Sequence, residues 1–485
     1  MFSGGCSISD TMNSLPYTLP SLDASTLHYM AECSKNYALM NGVIKRVEGN
    51  LDSSEVATYI PHTLFPSPFP RKLYNLANEM QDSINDLVLR VANDKEFLST
   101  ALKSTIAVDD FTAKLFKIFQ EVEKEGLKKP ITLCVVRPDY MVDTSGPELA
   151  LKQVEINTIA AGMGGIGRQV ADLHRYNVGL CHDLKVDLAG NQAVQAIAEG
   201  AAEAWRLYGE PSAWVLFMIS NHEYNVFDQC WLEHTMRQIN PAIKVMRKTL
   251  ADVGQRGTLT EDRRLFMDGS EIALVYFRVG YAPRQYTTET EWNARVLIER
   301  SQAVTCPSVN FHLAGTKKIQ QELSKPGVLE KFLTDEGAIA KIRSTFVHQY
   351  DLGLTEEGDA AAALGIKNPE RYVLKPQREG GGNNLYDEDL KLELERLSGQ
   401  VERGAYILME KIQGQVFQNY DIRHTTEPVV NDMVTEFGPF GVILSRGDEV
   451  LMNKTTGYYM KSRNVNVQEG GISIGSAAMD SVALV

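Results

Sequence analysis

The run Arg371-Tyr-Val-Leu-Lys375-Pro-Gln-Arg-Glu379-Gly-Gly-Gly382-Asn-Asn384-Leu-Tyr386 constrains this chain more tightly than any other stretch. Its apolar opening at 371–374 predicts a strand that delivers Lys375. Gly380, Gly381 and Gly382 then clear side chains from the backbone, so that neighbouring N–H groups can close on an anion. Lys375 adds positive charge, while Glu379 and Asn384 add the hard oxygen ligands that Mg2+ prefers, with Asn383 and Tyr386 beside them. The same residues could form a glycine-rich hairpin turn with a solvated lysine and glutamate. A strand lysine, a carboxylate and two amides gathered so closely favour a grip on a triphosphate instead.

That grip must be local, because the chain as a whole repels polyanions. Its formal net charge of -13 and pI near 5.3 oppose non-specific binding to nucleic acid or anionic lipid, which rests on clustered Lys and Arg. With 485 residues, 44% of them hydrophobic, the chain can bury one large core or two to three domains of ~100–200 residues. Cys6, Cys33, Cys134, Cys181, Cys230 and Cys306 are scattered without a C-x-x-C pair, which predicts free thiols in a reducing compartment. No run reaches the ~18 apolar residues of a membrane helix. The start at Met1 lacks the basic and apolar regions of a signal peptide, so a cytoplasmic protein is expected; a secreted one would need a signal cleaved ahead of Met1. The sequon Asn453-Lys-Thr455 is read as coincidence.

Along the chain, apolar residues at three- and four-residue spacings predict helices over 70–94 and 110–127, within a helical layer filling the first ~125 residues. Strands are predicted at 131–136 and 151–157. From about 212 strand and helix signals alternate: strands at 214–219, 243–246 and 272–277, helices at 227–239 and 292–303, which imply an α/β unit with a largely parallel sheet. Short strands return at 371–374, 406–409, 433–437, 442–444 and 450–452, whose short connections predict an antiparallel half that covers a ligand.

Three further segments could carry chemistry. Glu155 and Asn157 lie two apart on a predicted strand and so share a face, a Mg2+ half-site. Gly162-Met-Gly164-Gly-Ile-Gly167 matches the dinucleotide fingerprint, with Asp183 and Asp187 about 20 residues on. Its preceding strand carries Glu and Asn where a buried parallel strand should be apolar, and no βαβ frame surrounds it, so the match is set aside. Glu469-Gly-Gly-Ile-Ser-Ile-Gly475 follows Lys461 and Arg463, which share a face if extended and suit a carboxylate or phosphate. No histidine pair stands at metal-ligand spacing. The chemistry is expected to come from ATP and a metal ion.

Taken in series, these segments resemble the eukaryotic glutathione synthetase family. The resemblance rests on Leu374 to Tyr386, Glu155-Ile-Asn-Thr-Ile159, Asn225-Val-Phe-Asp-Gln229, Tyr276-Phe-Arg278, Gly280-Tyr281, Leu313-Ala-Gly-Thr-Lys-Lys318, Tyr406-Ile-Leu-Met-Glu-Lys-Ile412 and Glu469-Gly-Gly471, and it runs from about residue 60 onward. It implies an α/β ATP-grasp fold: an antiparallel sheet with a helical layer and an inserted parallel α/β substrate domain. The expected domains are 1–211, the helical layer and first part of the core; 212–316, the substrate domain; and 317–485, the ATP-grasp domain with lid loops at 380–386 and 461–476. A homodimer is implied. So is a reaction in which ATP phosphorylates the cysteine carboxylate of γ-glutamylcysteine and the amine of glycine displaces phosphate. By the same resemblance Mg2+ would be held by Glu155, Asn157 and Glu379. ATP would be held by Lys317, Lys375, Gly380, Gly381, Gly382, Asn383, Asn384, Tyr386, Met409, Glu410, Lys411, Ile412, Glu436 and Arg463. The substrates would meet Arg137, Glu223, Asn225, Gln229, Arg278 and Tyr281, with Arg137 and Lys461 in catalytic roles.

Departures from the family pattern fall on the peptide and glycine side. Ala160, Ala161 and Gly162 stand where the family has serines, and hydrogen bonds to charged groups are worth ~1.5–3 kcal/mol each. Lys461-Ser-Arg463 replaces Arg-Thr-Lys, and a lysine cannot reproduce a bidentate guanidinium grip. Ile472 and Ser473 make the last glycine-rich loop bulkier where the acceptor should lie, and Val279 stands where polar residues are usual. These departures leave open a diverged paralogue that takes another amine or donor, inside the cell or secreted. A non-catalytic scaffold is a third reading, against which the intact ATP residues argue.

Overall fold

Two long strands, Val429–Arg446 and Glu449–Asn464, form the spine of the molecule and pair antiparallel across a tight turn. The computed structural model describes residues 17–126, 129–181, 184–424, 426–472 and 475–485; Cys6, Asp183 and Ser473 lie outside them. The sequence predicts three short strands here, at 433–437, 442–444 and 450–452, so this part of the reading is corrected. Gly438-Pro439-Phe440-Gly441 reads locally as a turn, yet the chain stays extended through it. Pro439 sits beside a register shift, where a missing N–H costs least. The glycines serve close approach: a Cβ on Gly438 would lie 2.2 Å from Asp139 Oδ1, and one on Gly441 would lie 2.0 Å from Asn85 Oδ1.

These strands sit in a seven-stranded sheet ordered Val416–Ile422, His62–Thr63, Ala478–Met479, Glu449–Asn464, Val429–Arg446, Thr132–Asp143 and Ala150–Asn157. Helix Arg71–Asn93 packs across it, burying Leu73, Ala77, Met80, Ile84, Leu87, Val88 and Val91 on one stripe. Helix Asp110–Lys124 is likewise amphipathic, and Asp109 caps its first turn by accepting from Thr112 N at 2.8 Å.

A six-stranded sheet lies wholly within 214–306. Its strands Trp214–Met218, Lys244–Lys248, Ser270–Phe277 and Val304–Cys306 are parallel, as the alternation of strand and helix signals predicts, and an antiparallel hairpin over 258–267 extends one edge. A third sheet, antiparallel and four-stranded, is ordered Gln349–Asp351, Tyr406–Glu410, Tyr372–Pro376 and Leu385–Tyr386. Helices Glu356–Lys367 and Asp387–Arg396 cover it through a core of Leu352, Ala361, Leu374, Leu390, Leu394 and Leu408. The fold is therefore mixed α/β with several sheets. Among the described residues Cys33, Cys134, Cys181, Cys230 and Cys306 are free thiols. No helix there is long and apolar enough to cross a membrane.

Candidate functional site

Three elements meet at one ammonium group. Strand Ala150–Asn157 presents Glu155, helix Lys317–Leu323 starts on Lys317, and the loop leaving strand Tyr372–Pro376 brings in Glu379. Lys317 Nζ stands 3.0 Å from Glu155 Oε2 and 3.2 Å from Glu379 Oε2. Lys375 Nζ donates to Val154 O at 2.8 Å, one residue from Glu155. Burial opposes charge on every member of this group, and the partners decide the outcome. Burial pushes the Glu379 carboxyl up to about 7 although Lys317 lies beside it. For Glu155 the ammonium groups of Lys317 and Lys375 outweigh burial and hold its carboxyl well below the usual range. Burial lowers Lys375, whereas Glu155 and Glu379 outweigh burial at Lys317 and raise it. Two carboxylates converging on one cation make a centre that can exchange that cation for another.

The glycine-rich loop that follows is anchored at both ends. Gln377 Oε1 accepts from Lys318 N at 3.0 Å, and Arg378 Nη1 donates to Asp109 Oδ2 at 2.6 Å. Gly380 and Gly382 adopt φ of +80° and +86°, a conformation that L side chains resist. Asn383 Nδ2 donates to Gly380 O at 2.8 Å. Glu469, from the last glycine-rich loop, accepts from Gly382 N at 2.5 Å and from Asn384 N at 3.3 Å. The two glycine clusters that the sequence places about 90 residues apart thus touch, a carboxylate of one holding the backbone amides of the other. Tyr386 pairs with Val373, and Val373 pairs with Met409 on its other side. Glu410 ends that neighbouring strand, Lys411 N donates to Arg371 O at 2.8 Å, and Ile412 follows beyond it.

Across the long strands Glu436 is paired with Lys461, whose Nζ lies 3.0 Å from Glu436 Oε2 and donates to Gly470 O at 2.5 Å. Arg463, on the same face, stands 3.9 Å from Glu436 Oε1. Ile472 is buried, and Ser473 lies outside the described residues. On the next strand Arg137 stacks over Tyr459 at 4.5 Å and forms a two-pronged pair with Asp139 at 2.7 and 3.0 Å. Arg137 also donates to Gly162 O at 3.1 Å. Asn157 Nδ2 donates to Arg137 O at 3.2 Å and to Asp139 Oδ2 at 3.1 Å.

The remaining predicted residues gather around Asp228. Its carboxylate accepts from Met163 N at 2.8 Å, Gly165 N at 3.0 Å and Ile166 N at 3.3 Å, and it pairs with Arg278 at 3.1 Å. The fingerprint-like glycines therefore open helix Gly164–Leu180 onto an anion supplied by the protein itself, which accounts for the motif without a dinucleotide. A Cβ on Gly162 would lie 2.4 Å from Arg278 Nη2, so the guanidinium fills the space a serine there would take. Ala160, at φ +52°, and buried Ala161 complete this turn. Among the described residues Arg278 Nε and Gln229 Nε2 are buried donors that find no acceptor. Glu223 Oε1 accepts from Asn225 N at 2.9 Å, and Tyr281 packs against Gly380, whose Cβ would lie 3.2 Å from the ring. Tyr281 thereby links the Arg278 loop to the glycine-rich loop. Asp139, Asp228 and Glu469 received no role from sequence reasoning. Only Asp139 carried a local signal, its spacing of two from Arg137 on one strand.

The eukaryotic glutathione synthase ATP-binding-domain model matches residues 24–484. The chain is 43% identical over 463 residues to glutathione synthetase from Homo sapiens, covering 95% of this chain and 97% of that protein. It is 41% identical over 467 residues to glutathione synthetase from Xenopus laevis, covering 96% and 98%. A solved glutathione synthetase-like effector from Globodera pallida, in its apo form, aligns with a TM-score of 0.78 at 26% identity over 97% of this chain and 100% of that one. On the family match and these relatives, the chain belongs to the eukaryotic glutathione synthetase family.

Proposed function

We propose that the protein is an ATP-dependent ligase that joins γ-glutamylcysteine to glycine and so forms glutathione. The observation that carries this reading is 41–43% identity to glutathione synthetases over 95–96% of the chain. These relatives do not favour a diverged paralogue with another acceptor. An ATP-grasp arrangement accords with a four-stranded antiparallel sheet that bears the glycine-rich loop and faces the long-stranded sheet through Glu155, Lys317 and Glu379. Division at about 211 and 316 accords with a six-stranded sheet confined to 214–306. A homodimeric, cytoplasmic enzyme is the family-based expectation.

A carboxylate is a poor electrophile, and its phosphorylation supplies a leaving group. Lys317, Lys375, Asn383, Asn384 and the Gly380–Gly382 amides hold the triphosphate. Tyr386 and the strand end at Met409, Glu410, Lys411 and Ile412 hold the base, while Glu436 and Arg463 close the other wall. Glu155, Asn157 and Glu379 fit Mg2+: two carboxylates already share one cation, and Asn157, two residues along the strand from Glu155, adds an amide oxygen. Bound there, Mg2+ would neutralise charge on the transferring phosphoryl group. Arg278, Tyr281, Gln229, Asn225 and Glu223 orient the dipeptide, Gln229 Nε2 and Arg278 Nε being donors that await an acceptor. Arg137 faces the carboxylate being activated. Ala160, Ala161 and Gly162 border the dipeptide beside Arg278, and Lys461 faces the acceptor's carboxylate near Ile472.

Incubation with Mg-ATP and γ-glutamylcysteine, with and without glycine, tests the reading. Glycine-dependent glutathione formed in step with phosphate is expected. ATP turnover indifferent to glycine, or a product from another amine only, overturns it.

A further inference from the structure

We infer that Gln285 is a positioning residue for the dipeptide-binding loop, an inference that rests on the ligase reading above. The loop from Arg278 to Tyr286 turns back on itself, and one side-chain oxygen organises the turn. Gln285 Oε1 accepts from Gly280 N at 2.8 Å, Tyr281 N at 2.9 Å and Ala282 N at 3.2 Å. Successive backbone N–H groups pointing into one concavity form an anion-binding nest. Here the protein fills the nest with its own amide oxygen. Gln285 N in turn donates to Ala282 O at 3.0 Å, and the Tyr286 hydroxyl donates to Gly280 O at 3.1 Å. Gly280 takes φ of +93°, which lets its N–H and C=O serve these two partners at once.

This clamp matters because of what the turn carries. Arg278 enters it, and Tyr281 sits at its apex against Gly380 of the glycine-rich loop. Behind it, Tyr286 stacks on Trp292 at 4.1 Å, and Arg295 lies over Phe277 at 4.3 Å while pairing with Glu299 at 2.9 Å. Aromatic packing therefore fixes the base of the loop, and the Gln285 oxygen fixes its apex. Loss of that oxygen strands three N–H groups, each of which must find water or move. Gln285 has no need to touch substrate. It sets the distance between the dipeptide side and the phosphate side of the site.

The test uses the full chain with Gln285→Ala and Gln285→Glu, the latter retaining an acceptor oxygen. In Gln285→Ala, amide exchange at 280–282 should accelerate about tenfold while strand Trp214–Met218 is unchanged. KM for γ-glutamylcysteine should rise about tenfold with KM for ATP within about twofold, since a misplaced contact acts on the ligand it serves. Gln285→Glu should restore both. Unchanged exchange at 280–282, or KM for ATP rising equally with KM for the dipeptide, overturns the assignment. The exchange measurement needs no turnover. A wild-type chain that forms no glutathione would therefore defeat the ligase reading alone, and faster exchange in Gln285→Ala would still support the clamp.

Discussion

The Glu469 carboxylate accepts a hydrogen bond from the Gly382 amide at 2.5 Å, so that each of the two glycine-rich loops is held by the other. A second bond to Asn384 N at 3.3 Å uses the other oxygen. The same amides are those the proposed triphosphate grip would use, so ATP would compete with the carboxylate for them. Glu469→Gln exchanges a charge-assisted acceptor for a neutral one, a difference of about 1 kcal/mol. Amide exchange at Gly382 and Asn384 should accelerate roughly fivefold without ATP and return to the wild-type value with ATP bound. Equal exchange in variant and wild type would show that the clasp contributes nothing.

Glu379 shares the Lys317 ammonium with Glu155 but is anchored through its neighbours Gln377 and Arg378. Glu379→Gln should therefore leave the fold intact while weakening the response to Mg2+ by at least about 10–100-fold, the usual cost of losing even an outer-shell partner of a metal site. The check is turnover against Mg2+ concentration, alongside an unfolding curve. An unchanged Mg2+ dependence would remove Glu379 from the ligand set.

Acid should destabilise the protein through two buried histidines. His62 Nδ1 donates to Ile60 O at 2.9 Å and Nε2 accepts from Ser34 Oγ at 2.8 Å. His174 Nε2 donates to Thr63 O at 2.7 Å and Nδ1 accepts from Ser481 Oγ at 2.7 Å. Burial pushes His62 down to about 4 and His174 down to about 3, so both fold as neutral rings. The unfolded chain binds these protons near pH 6.5, so their contribution is intact above that pH and is lost as pH falls toward 4 and then 3. The slope is at most ~1.4 kcal/mol per pH unit for each ring. The carboxyls of Glu379 and Asp480, pushed up by burial to about 7 and about 6, act in the opposite sense over the same window, so the readout is a difference between chains: between pH 7 and 4 the unfolding free energy of His174→Gln should fall less steeply than that of the wild type, by up to ~1.4 kcal/mol per pH unit. Equal slopes in the two chains would contradict it.

What was legible in the sequence was local. Helix Arg71–Asn93 and the parallel strands announce themselves by period and composition, and the glycine-rich loop by its residue types. The long strands were not legible: Gly438 and Gly441 look like turn residues, whereas their absent side chains make room for Asp139 and Asn85, about 300 and 360 residues away. The site divides in the same way. Lys375, Glu379 and Asn384 declare themselves in one short run. Asp228 does not, because its task is to satisfy amides at Met163, Gly165 and Ile166, some sixty residues earlier. A residue whose partners are remote in sequence leaves no local pattern.

Residues 62–69 meet residues 478–484 in two sheets: Ala478–Met479 pairs with His62–Thr63 and with Glu449–Asn464 in the seven-stranded sheet, and Val482–Leu484 pairs with Ser67–Phe69 in a three-stranded one. On a ribosome, the six-stranded sheet within 214–306 can close while the remainder is still being made. The strand that carries Lys461 acquires a neighbour at 478–479 only once those residues have emerged. The six-stranded sheet can thus mature ahead of the sheet that carries Glu436 and Lys461.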